Sequence, residues 1–306
     1  MRSAFIGLGT MGMGMAQNLV RSGQPCLACS SKPEKLAWFR EQGAQTSIRM
    51  EDAAECGCIF LCLPDGRVVR EVLERLLPAL RPGQTVVDCS TIGYLEAREL
   101  AELLEKQGVD LVDAPVSGHR ERALDGTLTI MCGGRREAFD RVKSLLDCMG
   151  STVLYMGPSG SGQLTKMINN CCLNICAASF CELMPLGVKL GLDPEQLGQV
   201  LTTASGSSYA SKTLIPEILQ GNFDHGFTMG RAYKDMEGIS QVCARYQVPL
   251  PTLSGAMQTY QLALRHGDGE RYKGAMIRFY EDLLGVECRA GAGQDKAEAE
   301  PAGKKE

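Results

Sequence analysis

The first half of the chain alternates short apolar runs with longer segments whose apolar positions recur every three or four residues. The runs SAFIGLG, PCLACSS, CGCIFLCLP, QTVVDCST, DLVDAPVSG, TLTIMCGG and STVLYMG have the length and composition of buried strands. Between them, segments such as RVVREVLERLLPAL and LEARELAELLEKQG carry the spacing of amphipathic helices. Alternation of this kind predicts a mostly parallel, doubly wound sheet with helices on both faces. After Gly162 the strand signals stop and long helical segments follow, beginning with GQLTKMINNCCLNICAASFCELMPLGVKLG. That segment is apolar nearly all round, so burial between domains or subunits is expected. Pro185 is expected to kink it or to end its first half. In LDPEQLGQVL a new helix is expected, with Asp193 as N-cap and Pro194 at its first position. The tail from residue 289 to 306 has no apolar period and reads as disordered.

Composition narrows the class. Of 306 residues, 44% are hydrophobic and the net charge is −4 with both signs interspersed, so no basic face is present for nucleic acid. The first strand begins almost at Met1, leaving no room for a signal peptide. Asn169, Asn170, Asn174 and Glu182 interrupt the longest apolar stretch, which argues against a membrane span. A cytoplasmic protein is therefore expected, its fourteen cysteines reduced and acting mostly as small core residues. Cys26-x-x-Cys29 and Cys56-Gly-Cys58 lie in or beside strand-like runs, with no second pair at zinc-site spacing, so no metal site is expected.

Candidate chemistry starts at Gly7-x-Gly9-x-x-Gly12, which sits between the first strand and a helix, the context that a dinucleotide-binding loop requires. Thr10 and Met11 complete the turn over which a pyrophosphate would lie. Where an acidic residue would meet the ribose of NAD, the second strand ends in Ser30, Ser31 and Lys32. Two hydroxyls and a cation favour the 2′-phosphate of NADP, with NAD as the alternative. Leu63-Pro64, Thr91 and the Pro115–Gly118 turn also fall at carboxyl ends of strands, where open α/β sheets bind ligands. Further on, Lys166 and Asn170 are four apart on one helix, so both project from one face. A lysine in such an apolar helix is costly to bury without a role, and desolvation would tune it for general acid–base work.

Taken together, GLGTMGMGMAQNL, DAPVSG…ALDGTLTIMCGG, GPSGSGQLTKMINN and FTMGRAYKDM resemble, in order and separation, the motifs of the β-hydroxyacid dehydrogenases. The resemblance covers about residues 3 to 285. It implies a Rossmann domain over 1–161 and an all-α domain over 162–288, with the active site between them and a homodimer or homotetramer formed through the helices. It further implies that Lys166 is the catalytic lysine, Asn170 a substrate-orienting amide, and Ser117 with Gly118 the turn that holds a substrate carboxylate. Thr91 would face cofactor and substrate, Lys234 would close over the cofactor, and Phe227 would be the aromatic residue preceding it. The implied reaction is hydride transfer between NAD(P) and a short, anionic aldehyde acid or its hydroxyacid, without a metal.

The chain departs from that pattern after Gly118. His119 and Arg122 stand where the family usually has glycines, and Arg120 lies between them. The functional expectation is that His119, Arg120 or Arg122 reaches an extra anionic group, such as a sulfonate, phosphonate or second carboxylate. The alternative is that the two arginines belong to a solvated helix start. Sulfolactaldehyde- or phosphonate-type aldehyde reduction, imine reduction and a non-catalytic NADP-binding scaffold are the competing functions. The imine reductases usually lose the lysine that this chain has at 166. The chain is also too short for the larger helical domain of 6-phosphogluconate dehydrogenases.

Overall fold

The computed structural model describes residues 1–291, and the chain divides into two compact units, Met1–Met167 and Ile168–Glu306. The first unit is built on nine strands: β1 (Ser3–Ile6), β2 (Cys26–Cys29), β3 (Gln45–Ser47), β4 (Cys58–Leu61), β5 (Thr85–Asp88), β6 (Asp110–Asp113), β7 (Val116–Ser117), β8 (Leu128–Gly133) and β9 (Gly150–Gly157). They form one sheet in the order β3-β2-β1-β4-β5-β6-β8-β7, with β9 also pairing β8. The six strands from β3 to β6 are parallel throughout, which is the doubly wound arrangement. Beyond them β8 runs antiparallel to β6 and β7 and parallel to β9. The single expected run DLVDAPVSG is thus two strands, broken at Ala114-Pro115, because proline cannot donate to a ladder. The short β3 has no apolar run, and its sequence, QTS, carried no strand signal.

Six helices connect these strands: α1 (Gly12–Arg21), α2 (Ala37–Glu41), α3 (Gly66–Leu76), α4 (Tyr94–Glu105), α5 (Arg120–Asp125) and α6 (Arg136–Leu146). Alternate strand residues feed two separate cores. Phe5, Ala28, Phe60, Val87 and Val112 pack with Met15 and Leu19 of α1 and Phe139 and Val142 of α6. Ile6, Leu27, Ile59, Leu61 and Val86 pack on the other face with Val69 and Leu73 of α3 and Leu100 and Leu104 of α4. The two-residue period of the strands therefore decides which helices each side chain meets.

The rest is helical: α7 (Ser161–Lys189), α8 (Pro194–Thr203), α9 (Tyr209–Gln220), α10 (Met229–Tyr246), α11 (Pro251–Arg265) and α12 (Ile277–Leu284). The start of α8 is as expected, with Pro194 first and the Asp193 carboxylate accepting the Gln196 N–H at 2.9 Å. A capping box of Ser208 and Ser211 starts α9.

Pro185 does not end α7, which continues to Lys189; Cys181 and Met184 beside the missing hydrogen bond are fully buried and hold the turn by packing. Leu183 and Leu186 of this helix are exposed within the single chain. Among the described residues α7 alone has the length and apolar composition to cross a membrane. Its polar groups are nevertheless engaged inside the helical unit, Asn174 with the Ala232 carbonyl at 3.3 Å and Glu182 with the Thr259 hydroxyl. Residues 292–306, most of the tail expected to be disordered, lie outside the described residues. At its start, Arg289 pairs with Glu281 at 2.7 Å and the Ala290 N–H bonds the Leu219 carbonyl at 2.9 Å.

Burial dominates the chemistry of the cysteines. Cys26, Cys29, Cys56 and Cys58 are all buried, and desolvation raises the Cys26 thiol to about 11 and that of Cys29 to about 12. These thiols stay protonated and apolar in character. Among the described residues no three His, Cys, Asp or Glu side chains form a metal-ligand group.

Two buried carboxyls end adjacent strands. Desolvation raises Asp88 and Asp113 from 3.8 to about 6, and Oδ2 of Asp88 has no hydrogen-bond partner. The fold therefore retains protons that the unfolded chain releases near pH 4. This contribution to stability is complete below about pH 4 and is lost as pH rises through about 6. Comparing Asp88→Asn with the wild type by thermal denaturation should shift the difference in the variant's favour between pH 4 and 7, by on the order of 3 kcal/mol. A difference that stays constant across that range would show Asp88 to be ionised in the fold.

Candidate active site

The glycine loop joins β1 to α1 under tight steric limits. Gly7 has φ +102°, and a Cβ there would lie 2.2 Å from the Cys62 carbonyl oxygen. At Gly12 a Cβ would stand 2.0 Å from the Gly7 carbonyl oxygen, whereas at Gly9 it would meet nothing within 4 Å. Backbone thus packs against β4 on one side and leaves an open approach on the other. Thr10 is exposed and Met11 half-buried at the turn. Helix α1 has no side-chain cap and no acidic residue in its first turn, so its N–H groups and dipole suit an anion. A dinucleotide pyrophosphate fits this cradle.

At the end of β2, the Ser30 hydroxyl accepts the Lys32 N–H at 3.2 Å, and Ser31 and Lys32 are exposed. No carboxylate occupies the turn. Lys35, which no sequence pattern set apart from other lysines, donates to the Leu8 carbonyl at 2.8 Å. It brings a second cation beside the glycine loop, and its only signal was its place one turn after Lys32.

The ends of β4, β5 and β6 are tied together through Ser90 and Gln163. Leu63 donates its N–H to the Ser90 hydroxyl at 2.9 Å, next to the exposed Pro64. Ser90 donates its own N–H to Asp88 at 3.0 Å. Fully buried Gln163 then grips the loop around Thr91 at both ends: its Nε2 donates to the Ser90 carbonyl at 2.7 Å, and its Oε1 accepts the Ile92 N–H at 3.1 Å. Asp113 completes the junction by accepting the N–H groups of Gly160 at 2.7 Å and Gln163 at 2.9 Å. A carboxylate at a helix start satisfies orphan donors and complements the dipole. Half-buried Lys166 follows Gln163 by three residues on α7.

Ser117 ends β7, pairing Thr129. Gly118 has φ +140°, and a Cβ there would lie 2.8 Å from the Leu128 side chain and 3.1 Å from the Arg122 Cβ. His119 is the extended residue before α5, and both it and Arg120 are exposed. Arg122 also belongs to this turn. Its side chain lies against Gly118 and its guanidinium donates to the Thr127 carbonyl, so it closes the α5 turn on itself. Anchorage of α5 comes from α1: Asn18 donates to the Ala123 carbonyl at 2.8 Å, and a Cβ at Gly14 would stand 2.7 Å from that same oxygen.

In the helical unit, Asn170 donates to Asp235 of α10 at 2.8 Å, and Asn169 donates to the side-chain oxygen Oδ1 of Asn170 at 3.3 Å. The Asn170 amide is thereby oriented from both ends. Asp235 follows Lys234 directly and was not singled out by the sequence pattern. Lys234 is exposed, as is Phe227. Lys273, also missed because lysine is ordinarily a surface residue, is buried beside Phe227.

Known proteins resemble this chain along most of its length. The family profile of the NAD binding domain of 6-phosphogluconate dehydrogenase matches residues 2–157. The profile described as NAD-binding of NADP-dependent 3-hydroxyisobutyrate dehydrogenase matches residues 160–280. A 2-(hydroxymethyl)glutarate dehydrogenase from Eubacterium barkeri is 34% identical, covering 94% of this chain and 97% of its own. Among solved structures, the Mycobacterium tuberculosis 3-hydroxyisobutyrate dehydrogenase with L-serine superimposes with a TM-score of 0.81 at 30% identity, covering 91% of this chain and 99% of its own. Psf3 in complex with NADP+ and 2-OPP gives 0.76 at 28% identity, covering 92% and 99%.

The Gln163 clamp has a direct test. Gln163→Leu keeps the volume but leaves the Ser90 carbonyl and Ile92 N–H unpaired, which should lower stability by about 2–4 kcal/mol. Amide hydrogen exchange at Ile92 should accelerate at the same time. Unchanged exchange at Ile92 would mean that other contacts hold the Thr91 loop.

Proposed function

The chain belongs to the β-hydroxyacid dehydrogenase family, an NAD(P)-dependent oxidoreductase family, and within it we propose an NADP-preferring interconversion of a short aldehyde acid and its hydroxyacid. Lys166 is the general acid and base of this reading. The observation that carries it is the helix α7 itself, which presents Lys166 and Asn170 one turn apart. Its first turn is fastened by Asp113 and Gln163 to the strand ends beside the glycine loop.

When bound, the nicotinamide supplies or accepts the hydride. Gly7, Gly9, Thr10, Met11 and Gly12 hold the pyrophosphate by backbone, with Leu63, Pro64 and Thr91 along the same carboxyl edge of the sheet. Ser30, Ser31, Lys32 and Lys35 receive the 2′-phosphate, a role suited to two cations and two hydroxyls with no carboxylate among them. Lys234 and Phe227 are the residues of the helical unit that we assign to the cofactor. Ser117 and the Gly118 backbone take the substrate carboxylate, and the oriented Asn170 amide fixes the reacting oxygen. In reduction, the Lys166 ammonium gives its proton to that oxygen as the carbonyl carbon becomes a carbinol; in oxidation, the neutral amine removes the hydroxyl proton. His119 and Arg120 border the carboxylate turn and are the residues that we assign to any further polar group of the substrate near it.

Leu183 and Leu186 on α7, with Leu190 just beyond its end, are exposed at helical spacing and support a homodimer or homotetramer. Buried, protonated thiols suit a reducing, cytoplasmic compartment.

NADPH and NADH oxidation should be followed with succinic semialdehyde, glyoxylate and tartronate semialdehyde. The expected result is turnover of at least one, faster with NADPH by about tenfold or more. Lys166→Ala should lower kcat by roughly 10²–10⁴ while NADPH affinity changes little. Tight NADPH binding without turnover of any aldehyde acid would instead mark a nucleotide-binding scaffold.

A further inference from the structure

Strands β5 and β6 end on a matched pair of acids. Asp88 and Asp113 are register partners in the parallel ladder, so their side chains leave the same face of the sheet from backbones about 5 Å apart. Neither reaches solvent, at 0% and 1% exposure. Two like charges so close and so dry repel strongly, and such a pair keeps one proton between its members.

Hydrogen bonds decide which acid carries that proton. Both oxygens of Asp113 are engaged at the start of α7, Oδ1 accepting the Gly160 N–H at 2.7 Å and Oδ2 the Gln163 N–H at 2.9 Å. Main-chain donors and a helix N-terminus favour the ionised form. Asp88 accepts the Ser90 N–H at 3.0 Å on Oδ1, and its Oδ2 has no partner. A buried charged oxygen without a donor is the costlier state. The titratable groups that face Asp88 are Cys62 beyond β4, Cys89 next to it, Asp113 on β6, and Glu96 on α4, whose carboxylate lies against Gly66 at the start of α3. Burial keeps both thiols uncharged, and both carboxylates oppose a charge on Asp88.

Asp88 acts on the turns along the carboxyl edge of the sheet through Ser90. The Ser90 hydroxyl accepts the Leu63 N–H at 2.9 Å and its carbonyl accepts Gln163 Nε2 at 2.7 Å, so the residue that Asp88 holds joins the Leu63-Pro64 turn to the Thr91 loop. We propose that Asp88 is a positioning residue that works as a neutral acid: beside ionised Asp113, its uncharged carboxyl keeps the Leu63-Pro64 and Ser90-Thr91 turns in the shape that receives the nucleotide. This rests on the cofactor residues assigned above and adds a proton to them. A second charge at the end of β5 pushes the two carboxylates apart, and with them the strand ends, and it sets a negative charge beneath turns that meet an anionic ligand. Burial raises Asp88 to about 6, so the second charge appears as pH rises through about 6. Nucleotide binding and protonation of Asp88 are then linked, each favouring the other.

The test measures the Kd of NADPH for the full-length protein between about pH 5.5 and 7.5. The 2′-phosphate titrates in the same range, so the readout is the ratio of the wild type to Asp88→Asn, in which that effect cancels. Asparagine keeps an acceptor for the Ser90 N–H and cannot ionise. Across the interval the wild-type Kd is expected to rise about tenfold more than that of Asp88→Asn. Asp88→Ala, which removes the acceptor, should bind more weakly than Asp88→Asn at every pH. The same pH dependence in the wild type and Asp88→Asn overturns the proposal, whether or not the variant is weaker throughout, since a purely structural residue gives that result. Should Asp88→Asn not fold, calorimetry of NADH binding to the wild type at about pH 6.5 decides, in buffers of different ionisation enthalpy. NADH lacks the 2′-phosphate, and uptake of about half a proton is expected; no uptake overturns the proposal. A wild type that binds neither NADPH nor NADH at any pH removes the cofactor assignment itself.

Discussion

A helix N-terminus and the carboxyl ends of three parallel strands share one polar junction, and the start of α7 is fixed by it. Asp113 accepts two N–H groups from the start of α7, and Gln163 binds both ends of the loop that follows β5. These groups are buried, so each bond lost would leave an unpaired donor or acceptor out of reach of water. The backbone that carries Lys166 one turn later is therefore fixed by main-chain geometry. A lysine side chain is long and flexible, so rigidity has to be supplied at its base, and the buried amide supplies it.

The glycines serve the opposite requirement, closeness without side chains. Gly7 and Gly12 let β1, β4 and α1 meet backbone to backbone, while Gly9 stays open toward the ligand. Gly14 performs the same service one turn into α1, where it admits the Ala123 carbonyl of α5. Charge follows the same division. The carboxyls at the strand ends are protonated more readily than in water because they are desolvated, whereas the cations near β2 remain at the surface where a phosphate can reach them.

Much of this was legible in the sequence. Short apolar runs identified the strands from β1 to β6 apart from β3, and the Asp-Pro pair at 193–194 marked the start of α8. The glycine spacing marked the tight turn between β1 and α1. What escaped was information carried by tertiary partners. The pairing of QTS with β2 comes from its neighbour, not from its own composition. The run through Pro185 depends on packing around Cys181 and Met184. The reach of Arg122 to the Thr127 carbonyl is a contact only five residues long that charge alone does not foretell. Gln163 is a polar residue whose importance lies in being buried, and burial of an isolated polar residue leaves no periodic trace.

The docking of α5 on α1 has an evolutionary side. Its anchors are the Ala123 and Leu124 carbonyls, received by Asn18 and Arg21, together with the missing side chain of Gly14. None of these bonds depends on which side chains stand at 119, 120 or 121. The helix start beside the Ser117-Gly118 turn is thus a replaceable cassette on a fixed mount: its chemistry can be rewritten by substitution while its position is inherited from the backbone. For an engineer, or for divergence after gene duplication, this is the stretch of the chain where new selectivity can be sampled with the least risk to folding.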